Sequence, residues 1–430
     1  MYNPKLETLP LEELRKLQNQ RLAVMLKRIY DKVPFYKNKF DAIGLKPEDI
    51  KGVEDLHKLP FTKKSDLRDH YPFGLFTCKE DQLRRIHCSS GTTGKPIVVG
   101  YTKNDLDVFD EVVARSLACA GAKPGMKLHN AYGYGLFTGG LGMHSGATKF
   151  GMSVIPISGG MTDRQLDLLE DFKSEVICCT PSYAQTIANE CVKRGIDVAS
   201  RFNLKYAILG AEPWTEAIRQ EIEQKLHLKA TNIYGLSEII GPGVSQEDFE
   251  EQGTGSYIWE DHFFPEIVDK DTGKPLPYGE EGVLVFTTLT KEAFPVLRYW
   301  TNDICSLTYD HSHKRTHIKM GALKGRSDDM LIIRGVNLFH TQVESIIENI
   351  PQLTPNYQLI VTKQNAMDCV EVKVETSNSN DINNVDLSKG FIKKIKDNIG
   401  ISMKVTLVAP GGVPRSEGGK LKRILDLRTK

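Results

Sequence analysis

The segment from Ser89 to Pro96, Ser-Ser-Gly-Thr-Thr-Gly-Lys-Pro, has the residue types of a loop that holds a polyphosphate. Its glycines let the backbone turn sharply and aim several N–H groups at one point, while the hydroxyls and the lysine add donors and positive charge. The spacing is not that of a Walker A loop, because Ser89 stands where the first glycine would be and Pro96 replaces the hydroxyl residue that would hold magnesium. The sequence therefore predicts a nucleotide site with a different chemistry.

Four later segments share this polar, glycine-containing character. Gly210-Ala-Glu-Pro-Trp214 follows a predicted strand, and Tyr234-Gly-Leu-Ser-Glu238 follows a short apolar stretch. Arg298-Tyr-Trp-Thr-Asn-Asp303 lies in a β-rich region, and Gly418-Gly-Lys420 lies in a glycine-rich segment. Each signal is weak alone, but in this order, with Gly325-Arg-Ser-Asp-Asp329 before the last, they form a specific set.

The elements that must position these segments follow an alternating pattern. A chain of 430 residues exceeds one ordinary core, so two or more domains are expected. Between residues 85 and 240, short apolar runs alternate with helical patterns: residues 175–180 and 205–210 read as strands, and residues 182–194 as the helix between them. This order predicts a parallel sheet, and ligands of such sheets bind at the carboxyl ends of the strands.

The rest of the chain divides further. Residues 255–310 predict an antiparallel β subdomain, and Thr62 is a candidate N-cap for an early helix. After residue 329 the pattern predicts a compact α+β unit of about 100 residues. Its expected parts are helices at 341–350 and 391–398, a hairpin at 357–375, a solvated connection at 376–388 and a strand at 403–408.

The ordered set resembles the adenylate-forming enzymes, the superfamily of acyl-CoA synthetases, luciferases and peptide-synthetase adenylation domains. Three more segments resemble the ligases that join phenylacetate to coenzyme A: residues 131–140, 258–262 and 328–337. The resemblance covers nearly the whole chain. It implies an α/β fold: a large N-terminal domain, residues 1–327, with parallel sheets and a small β subdomain, and a mobile α+β C-terminal lid domain, residues 328–430.

The resemblance implies that ATP activates an aryl acid as an acyl-adenylate, releasing pyrophosphate, and that CoA then displaces AMP. It assigns Glu238 to Mg²⁺, Tyr234 to the adenine, Asp303 to the ribose hydroxyls and Arg326 to the ribose or a phosphate. It makes Lys420 the adenylation lysine and Asp328 the hinge. The phosphate-binding residues are Ser89, Ser90, Gly91, Thr92, Thr93, Gly94 and Lys95, with Thr92 and Lys95 also catalytic. The remaining nucleotide-binding residues are Ala211, Glu212, Pro213 and Gly235.

The acid pocket is predicted from aromatic and small residues together. Tyr132, Tyr134 and Phe137 stand among glycines, and aromatic walls with small residues between them accept a flat ring. Gly210, Ile240 and Pro242 complete the candidate pocket. Phenylacetate is the acid that the resemblance favours, while larger aryl acids and aliphatic acids stay open.

Two single residues and one short run depart from the family pattern. Trp300 stands where relatives commonly carry arginine, and His340 where many carry proline. The run from His311 to His317 includes His313 and replaces two cysteines of relatives by histidines, which exchanges one type of zinc ligand for another. A structural Zn²⁺ held by His311, His313 and His317 and a solvated basic loop are both consistent with this run.

The bulk composition limits the partners. The formal net charge is +1, which gives no reason to expect nucleic acid, and no apolar run reaches the roughly 20 residues of a membrane span. Eight scattered cysteines suit a reduced cytoplasmic setting. The expected partners are an aryl acid, ATP and CoA, and the resemblance implies a homodimer. Two rival functions stay open: a stand-alone enzyme that loads a carrier protein, and a non-catalytic nucleotide-binding protein.

Overall fold

The structure is a computed structural model that describes residues 1–89, 96–310, 312–327, 331–333, 336–364, 367–414 and 423–428. The α-helices within these ranges are α1 (Pro4–Glu7), α2 (Leu11–Lys32), α3 (Pro34–Ala42), α4 (Lys64–Asp69), α5 (Lys103–Cys119), α6 (Thr138–Phe150), α7 (Thr162–Phe172), α8 (Pro181–Lys193), α9 (Val198–Arg201), α10 (Glu216–Leu226), α11 (His340–Ile347) and α12 (Val385–Ile399).

The strands of the N-terminal part are β1 (Arg85–Cys88), β2 (Val98–Tyr101), β3 (Lys127–Asn130), β4 (Ser153–Ile155), β5 (Val176–Cys179), β6 (Tyr206–Gly210), β7 (Lys229–Leu236), β8 (Gly241–Glu247), β9 (Ser256–Ile258), β10 (Phe263–Val268), β11 (Glu281–Thr288), β12 (Tyr299–Thr308), β13 (Lys319–Met320) and β14 (Gly325–Arg326). Those of the C-terminal part are β15 (Leu331–Ile333), β16 (Val336–Leu338), β17 (Leu353–Gln364), β18 (Met367–Thr376), β19 (Lys404–Val408) and β20 (Ile424–Asp426).

One mixed twelve-stranded sheet organises the N-terminal part. Strands β4, β3, β5, β6 and β7 are paired in parallel, as the alternating sequence pattern predicts. Strand β7 then pairs antiparallel with β8, and the antiparallel half continues through β9, β13, β12, β11 and β10. The predicted β subdomain is therefore continuous with the parallel strands, and the predicted α/β fold class is confirmed.

The N-terminal helices follow the apolar spacing of the sequence. Helix α2 buries Leu14, Gln18, Leu22, Met25 and Ile29, which recur every three to four residues and so lie on one face. The prediction for Thr62 as an N-cap is wrong. Lys63 is the N-cap of α4, and the Thr62 hydroxyl donates to the carbonyl of Leu297 at 2.6 Å, because this segment pairs with the residues leading into β12.

The C-terminal part has its own core. Strands β19, β18, β17 and β20 form a four-stranded sheet, and one hydrophobic cluster joins residues from Leu331 onward. Helix α12 begins at Val385, so the segment predicted as a solvated connection contributes its last residues to a helix capped by Asn384. The predicted limit between the two domains stays a prediction, because residues 328–330 lie outside the described ranges.

No helix among the described residues is both long and apolar enough to cross a bilayer.

Candidate active site

Three of the predicted nucleotide-binding side chains meet at one point. Tyr234 lies on β7, Asp303 on β12 and Arg326 on β14, and the pairing of β12 with β14 places Asp303 opposite Arg326. The Tyr234 hydroxyl donates to Asp303 Oδ2 at 2.6 Å, and Arg326 Nη1 lies 3.0 Å from Asp303 Oδ1. Burial and the charge of Asp303 raise the pKa of Tyr234 well above its ordinary value, which keeps its hydroxyl a donor.

The Asp303 carboxylate is a buried acceptor group. An ionised carboxylate only accepts hydrogen bonds, through two oxygens with about four lone-pair sites. Asp303 is 5% exposed, and this burial strengthens its polar contacts. The arrangement therefore suits hydroxyl donors from a bound sugar.

Glu238 follows β7 and is buried at 5% exposure. The Tyr299 hydroxyl on β12 lies 3.3 Å from its Oε1 atom. The hydroxyl of neighbouring Ser237 lies 3.2 Å from that of Thr138, which ties this turn to the start of α6. A buried carboxylate oxygen suits Mg²⁺, which is commonly held by one or two carboxylates together with substrate phosphates. The residue at this position therefore fits the implied metal.

The next group of predicted nucleotide-binding residues follows the end of β6. Ala211 follows this strand with φ at +70°, and the Glu212 carboxylate accepts from the amide of Ser182 at 3.2 Å, at the N-terminal end of α8. A side chain is excluded at Gly235, because an added Cβ would collide with the carbonyl oxygen of Gly241. The close approach of β7 and β8 therefore explains why glycine stands beside Tyr234.

Ser89 fixes the start of the phosphate-binding segment. Its amide donates to the carbonyl of Ile97 at 2.9 Å, and the amide of Ile97 donates to its hydroxyl at 3.2 Å. These bonds hold the two ends of the intervening segment together. The other predicted residues of this segment, and three further predicted residues elsewhere, lie outside the described residues: Ser90, Gly91, Thr92, Thr93, Gly94, Lys95, His311, Asp328 and Lys420.

Hydrogen bonds join part of the candidate acid pocket. The Tyr132 hydroxyl interacts with the backbone of Gly210, which joins two of the predicted residues across β3 and β6. Asn130 Nδ2 lies 2.6 Å from the Tyr134 hydroxyl, which is 3.1 Å from His144 Nδ1. Asn130 donates to the Tyr134 hydroxyl, which shares a second hydrogen bond with the His144 ring, so the hydroxyl is held by two side chains.

Phe137, Ile240 and Pro242 occupy separate elements of the same region. Phe137 precedes α6 as its N-cap residue, and Pro242 lies on β8. Ile240 is buried, and its carbonyl accepts from the Tyr101 hydroxyl at 2.7 Å. Their roles toward an acid stay a prediction.

Comparison with known proteins decides the family. Residues 5–289 match the model of the AMP-binding enzyme family, and residues 335–428 match that of the AMP-binding enzyme C-terminal domain. The chain is 59% identical to a phenylacetate-coenzyme A ligase of Thermus thermophilus, over the full length of both. The chain belongs to the phenylacetate-coenzyme A ligase family of AMP-binding enzymes. It is therefore an enzyme, an AMP-forming acid–thiol ligase, and the recognition from sequence is confirmed.

Solved structures of a related ligase in two states provide a second comparison. A 2-hydroxyisobutyryl-CoA ligase in the postadenylation state, 26% identical, superposes with a TM-score of 0.89 over 98% of this chain and 91% of its own. The same ligase in the thioesterification state, with CoA, gives 0.74 over 99% of this chain and 92% of its own. The structure of this phenylacetate-coenzyme A ligase family member thus superposes more closely on that ligase in its postadenylation state than in its thioesterification state. ATP and CoA as substrates fit this family.

The zinc alternative gains no support at His317, because both ring nitrogens have backbone partners. Its Nδ1 lies 2.9 Å from the amide of Glu260 and 3.0 Å from the carbonyl of Ile258, and its Nε2 lies 3.0 Å from the carbonyl of Leu6. His313 lies between Glu251 and Asp310. With His311 outside the described residues, the zinc site stays a prediction. Within the described ranges no three His, Cys, Asp or Glu side chains form a metal-binding group. The predicted homodimer is not tested by one chain and stays a prediction.

The two departures from the family pattern have local explanations. The Trp300 indole donates to Asn302 Oδ1 at 2.8 Å and packs edge-on against Phe61, with ring centroids 4.9 Å apart. His340 is the first residue of α11, and its Nδ1 lies 3.0 Å from the Tyr357 hydroxyl. Burial, and secondarily the charge of Arg423, lowers the pKa of His340 to about 4.

Sequence reasoning missed a lysine beside the site. Lys291 follows β11, is 4% exposed, and its Nζ lies 4.9 Å from the ring centroid of Tyr101. Burial lowers the pKa of Lys291 to about 8, against the opposing charges of Asp105 and Glu238. A single lysine between Thr290 and Glu292 carries no local signal of burial, because lysine is ordinarily solvated.

Proposed function

We propose that this ligase joins phenylacetate to coenzyme A through an acyl-adenylate, releasing pyrophosphate in the first step and AMP in the second. The observation that carries the proposal is the full-length identity of 59% to a protein named phenylacetate-coenzyme A ligase. The aromatic and glycine-rich segment from Ala131 to Gly140 supports it, since a flat ring suits aromatic walls separated by small residues.

The first step needs the acid and the α-phosphorus held together while negative charge is neutralised. In the proposed assignment Asp303 accepts from the ribose hydroxyls, Tyr234 faces the adenine together with residues 211–213, and Arg326 holds Asp303 in place. Ser89 and residues 90–95 hold the β- and γ-phosphates. Glu238 would hold Mg²⁺, which supplies charge neutralisation at phosphate oxygens when it is bound.

The second step needs a different set of groups at the acyl carbon. We assign Lys420 to adenylate formation and the hinge to Asp328, so that rotation of the lid removes the lysine and admits the thiol of CoA. In this chain, β20 begins four residues after Lys420 and pairs with β17, within the lid core. The lysine segment is therefore covalently continuous with the rigid part of the lid.

A panel of acids tests the proposal. Purified enzyme is offered phenylacetate, hydroxylated phenylacetates, benzoate and medium-chain fatty acids, with ATP, Mg²⁺ and CoA. We expect AMP and acyl-CoA to form in equal amounts and phenylacetate to give the highest kcat/KM. Faster turnover of medium-chain acids than of phenylacetate would contradict the proposed acid.

The thiol acceptor is tested in parallel. The same reactions are run with CoA omitted and with a phosphopantetheine-bearing carrier protein in its place. Acylation of CoA but not of the carrier is the expected result. Acid-dependent ATP–pyrophosphate exchange without any acyl-CoA would instead favour the carrier-loading function, and absence of exchange with every acid would favour a non-catalytic protein.

A further inference from the structure

Lys291 is a buried cation with an unmet hydrogen-bonding demand. Its Nζ is buried, and no hydrogen-bond partner for it exists among the described residues. The ammonium lies 4.9 Å from the ring centroid of Tyr101 and 5.5 Å from that of Phe294. Aromatic faces attract a cation but offer no acceptor for its three N–H groups. A buried ammonium in this situation requires an anionic or polar oxygen from outside the described residues.

Hydrogen bonds to Asp105 fix the backbone next to Lys291. The two residues after it donate their amides to one carboxylate: Glu292 N lies 2.6 Å from Asp105 Oδ1, and Ala293 N lies 2.9 Å from Asp105 Oδ2. Asp105 is itself fixed in the capping box of α5 with Thr102. The lysine therefore extends from a backbone that is held on the scaffold rather than on a free loop.

The fixed backbone places Lys291 beside the candidate active site. Tyr101, beneath its ammonium, ends β2 and donates to the carbonyl of Ile240, two residues beyond Glu238. The charges of Asp105 and Glu238 both favour the ammonium of Lys291. His87, two residues before Ser89, packs edge-on against the Tyr101 ring, with centroids 5.7 Å apart. The Tyr101 ring under Lys291 thus contacts both the turn that carries Glu238 and the strand that leads into the phosphate-binding segment.

A second lysine shows what a purely structural counterpart looks like. Lys319 is 1% exposed and lies 4.9 Å from the ring centroid of Tyr257, which matches the setting of Lys291. Its Nζ contacts Glu251 Oε2 at 2.8 Å, Thr254 Oγ1 at 2.9 Å and Asp310 Oδ2 at 3.3 Å. All three of its N–H groups are thereby used, whereas the described surroundings of Lys291 use none.

We propose that Lys291 is a substrate-binding residue of the ligase, whose Nζ donates to an anionic oxygen, carboxylate or phosphoryl, of a bound reactant. The inference rests on the proposed function, because that function brings both kinds of oxygen to the turn that carries Glu238. A cation held in a low-dielectric site interacts more strongly with such an oxygen than a solvated one. Hydrogen bonds to charged groups of this kind correspond to about ten- to hundredfold in affinity.

Calorimetric titrations of three proteins test the proposal: Lys291→Met, Lys291→Arg and the matched control Lys319→Met. The probes are Mg²⁺–ATP alone, phenylacetate alone, and a non-hydrolysable sulfamoyl analogue of phenylacetyl-adenylate. We expect Lys291→Met to bind the analogue about ten- to hundredfold more weakly. Lys291→Arg, which keeps the charge, should recover most of that loss, and Lys319→Met should bind all three probes as the wild type does.

The two single-reactant arms identify the oxygen. A loss confined to Mg²⁺–ATP assigns a phosphoryl oxygen to Lys291, and a loss confined to phenylacetate assigns the carboxylate. Wild-type affinity of Lys291→Met for all three probes would overturn the proposal and leave a water molecule as the partner. If wild-type enzyme binds Mg²⁺–ATP but not phenylacetate, phenylacetate is not the substrate. The titrations with Mg²⁺–ATP then still test the role of Lys291.

Thermal stability separates binding from folding. Removing an unpaired buried charge relieves desolvation, so Lys291→Met should melt no lower than the wild type. Removing Lys319 leaves its oxygen partners unpaired, so Lys319→Met should melt lower. A lower melting temperature for Lys291→Met together with wild-type binding would make Lys291 a structural residue and refute the proposal.

Discussion

Two regions of the molecule hold buried charges in different ways. In the first, which we call the ion-pair wall, Arg115 donates to both oxygens of Asp261 at 2.8 and 3.1 Å and to Glu111 at 2.6 Å, with His262 beside them. In the second, the candidate site, the Glu238 carboxylate lies 3.3 Å from the Tyr299 hydroxyl, and the Lys291 ammonium lies over aromatic rings with no hydrogen-bond partner among the described residues.

The difference separates stability from ligand binding. Buried charges that are mutually satisfied hold elements together but have no capacity left for a ligand. Buried charges that keep free acceptor or donor positions are unfavourable in the empty protein and become favourable when a ligand supplies the missing partner. Substitutions in the wall should therefore change stability, and those in the site should change binding and catalysis.

The largest effect is expected in the wall. Arg115→Met leaves Asp261 buried without its bidentate partner, and breaking a buried pair by removing one member lowers the free energy of unfolding by about 3–5 kcal/mol. Chemical denaturation measures this change. Arg201→Met, at an exposed pair with Glu170, is the control and should change it little. If folded Arg115→Met lost as much ligand affinity as is expected of Lys291→Met, the distinction between the two regions would be wrong.

In the site, Glu238→Gln tests the opposite expectation. The substitution removes the carboxylate charge and should lower the rate of acid-dependent ATP–pyrophosphate exchange about 10²–10³-fold while stability is kept. Tyr299→Phe keeps the carboxylate, removes only the contact at 3.3 Å and should have a much smaller effect. Equal rates for Glu238→Gln and the wild type would remove Glu238 from the proposed machinery.

The C-terminal part contains a buried histidine, His340, whose effect on stability should depend on pH. His340 is neutral when folded, since its pKa is lowered from 6.5 to about 4. The unfolded chain therefore binds the extra proton between these values, and the contribution of His340 to stability is complete above pH 6.5 and is lost as pH falls to 4. The loss amounts to about 3 kcal/mol.

Comparing the wild type with His340→Gln isolates this effect from other titrating groups. The difference in unfolding free energy between the two proteins should shift in favour of His340→Gln as pH falls from 6.5 to 4. A pH-independent difference would show that His340 titrates alike in the folded and unfolded chains.

The smallest effect is expected at Trp300. Its indole contacts Phe61 and Asn302 rather than the Asp303 carboxylate. Trp300→Arg should therefore change the Kd for Mg²⁺–ATP by less than about threefold, since only an adjacent exposed charge is added. Measured Kd values beyond tenfold would place the ribose site closer to residue 300 than the comparison of regions implies.

How much the sequence predicted depends on the kind of signal. The apolar runs that alternate with helical patterns predicted the parallel strands and the turn after Gly210, because apolar runs and turn chemistry are local. The meeting of Tyr234, Asp303 and Arg326 was expected only through the family resemblance. Strand pairing between β7, β12 and β14 brings them together, and no local pattern encodes that pairing.

The misses share a physical cause. Thr62 has the residue type of an N-cap, but a tertiary partner, the carbonyl of Leu297, takes its hydroxyl. The same cause weakens the zinc alternative at His317, since backbone groups of Glu260 and Leu6 contact its two ring nitrogens. Lys291 was overlooked because its burial depends on Tyr101 and Phe294, which are remote or follow it in the chain. In each case long-range packing decides the role of the side chain.

The hydrogen bonds between Asp105 and the backbone after Lys291 bear on the selectivity of the enzyme. The Asp105 carboxylate holds the backbone amides of Glu292 and Ala293, so the Lys291 side chain extends from a fixed point of the chain. A site built to pair a buried polar group rejects an analogue that lacks the matching atom, because the group is then left buried and unpaired. In the proposed role of Lys291, uncharged mimics such as amides and esters should therefore bind more weakly than the acid even where they fit the space.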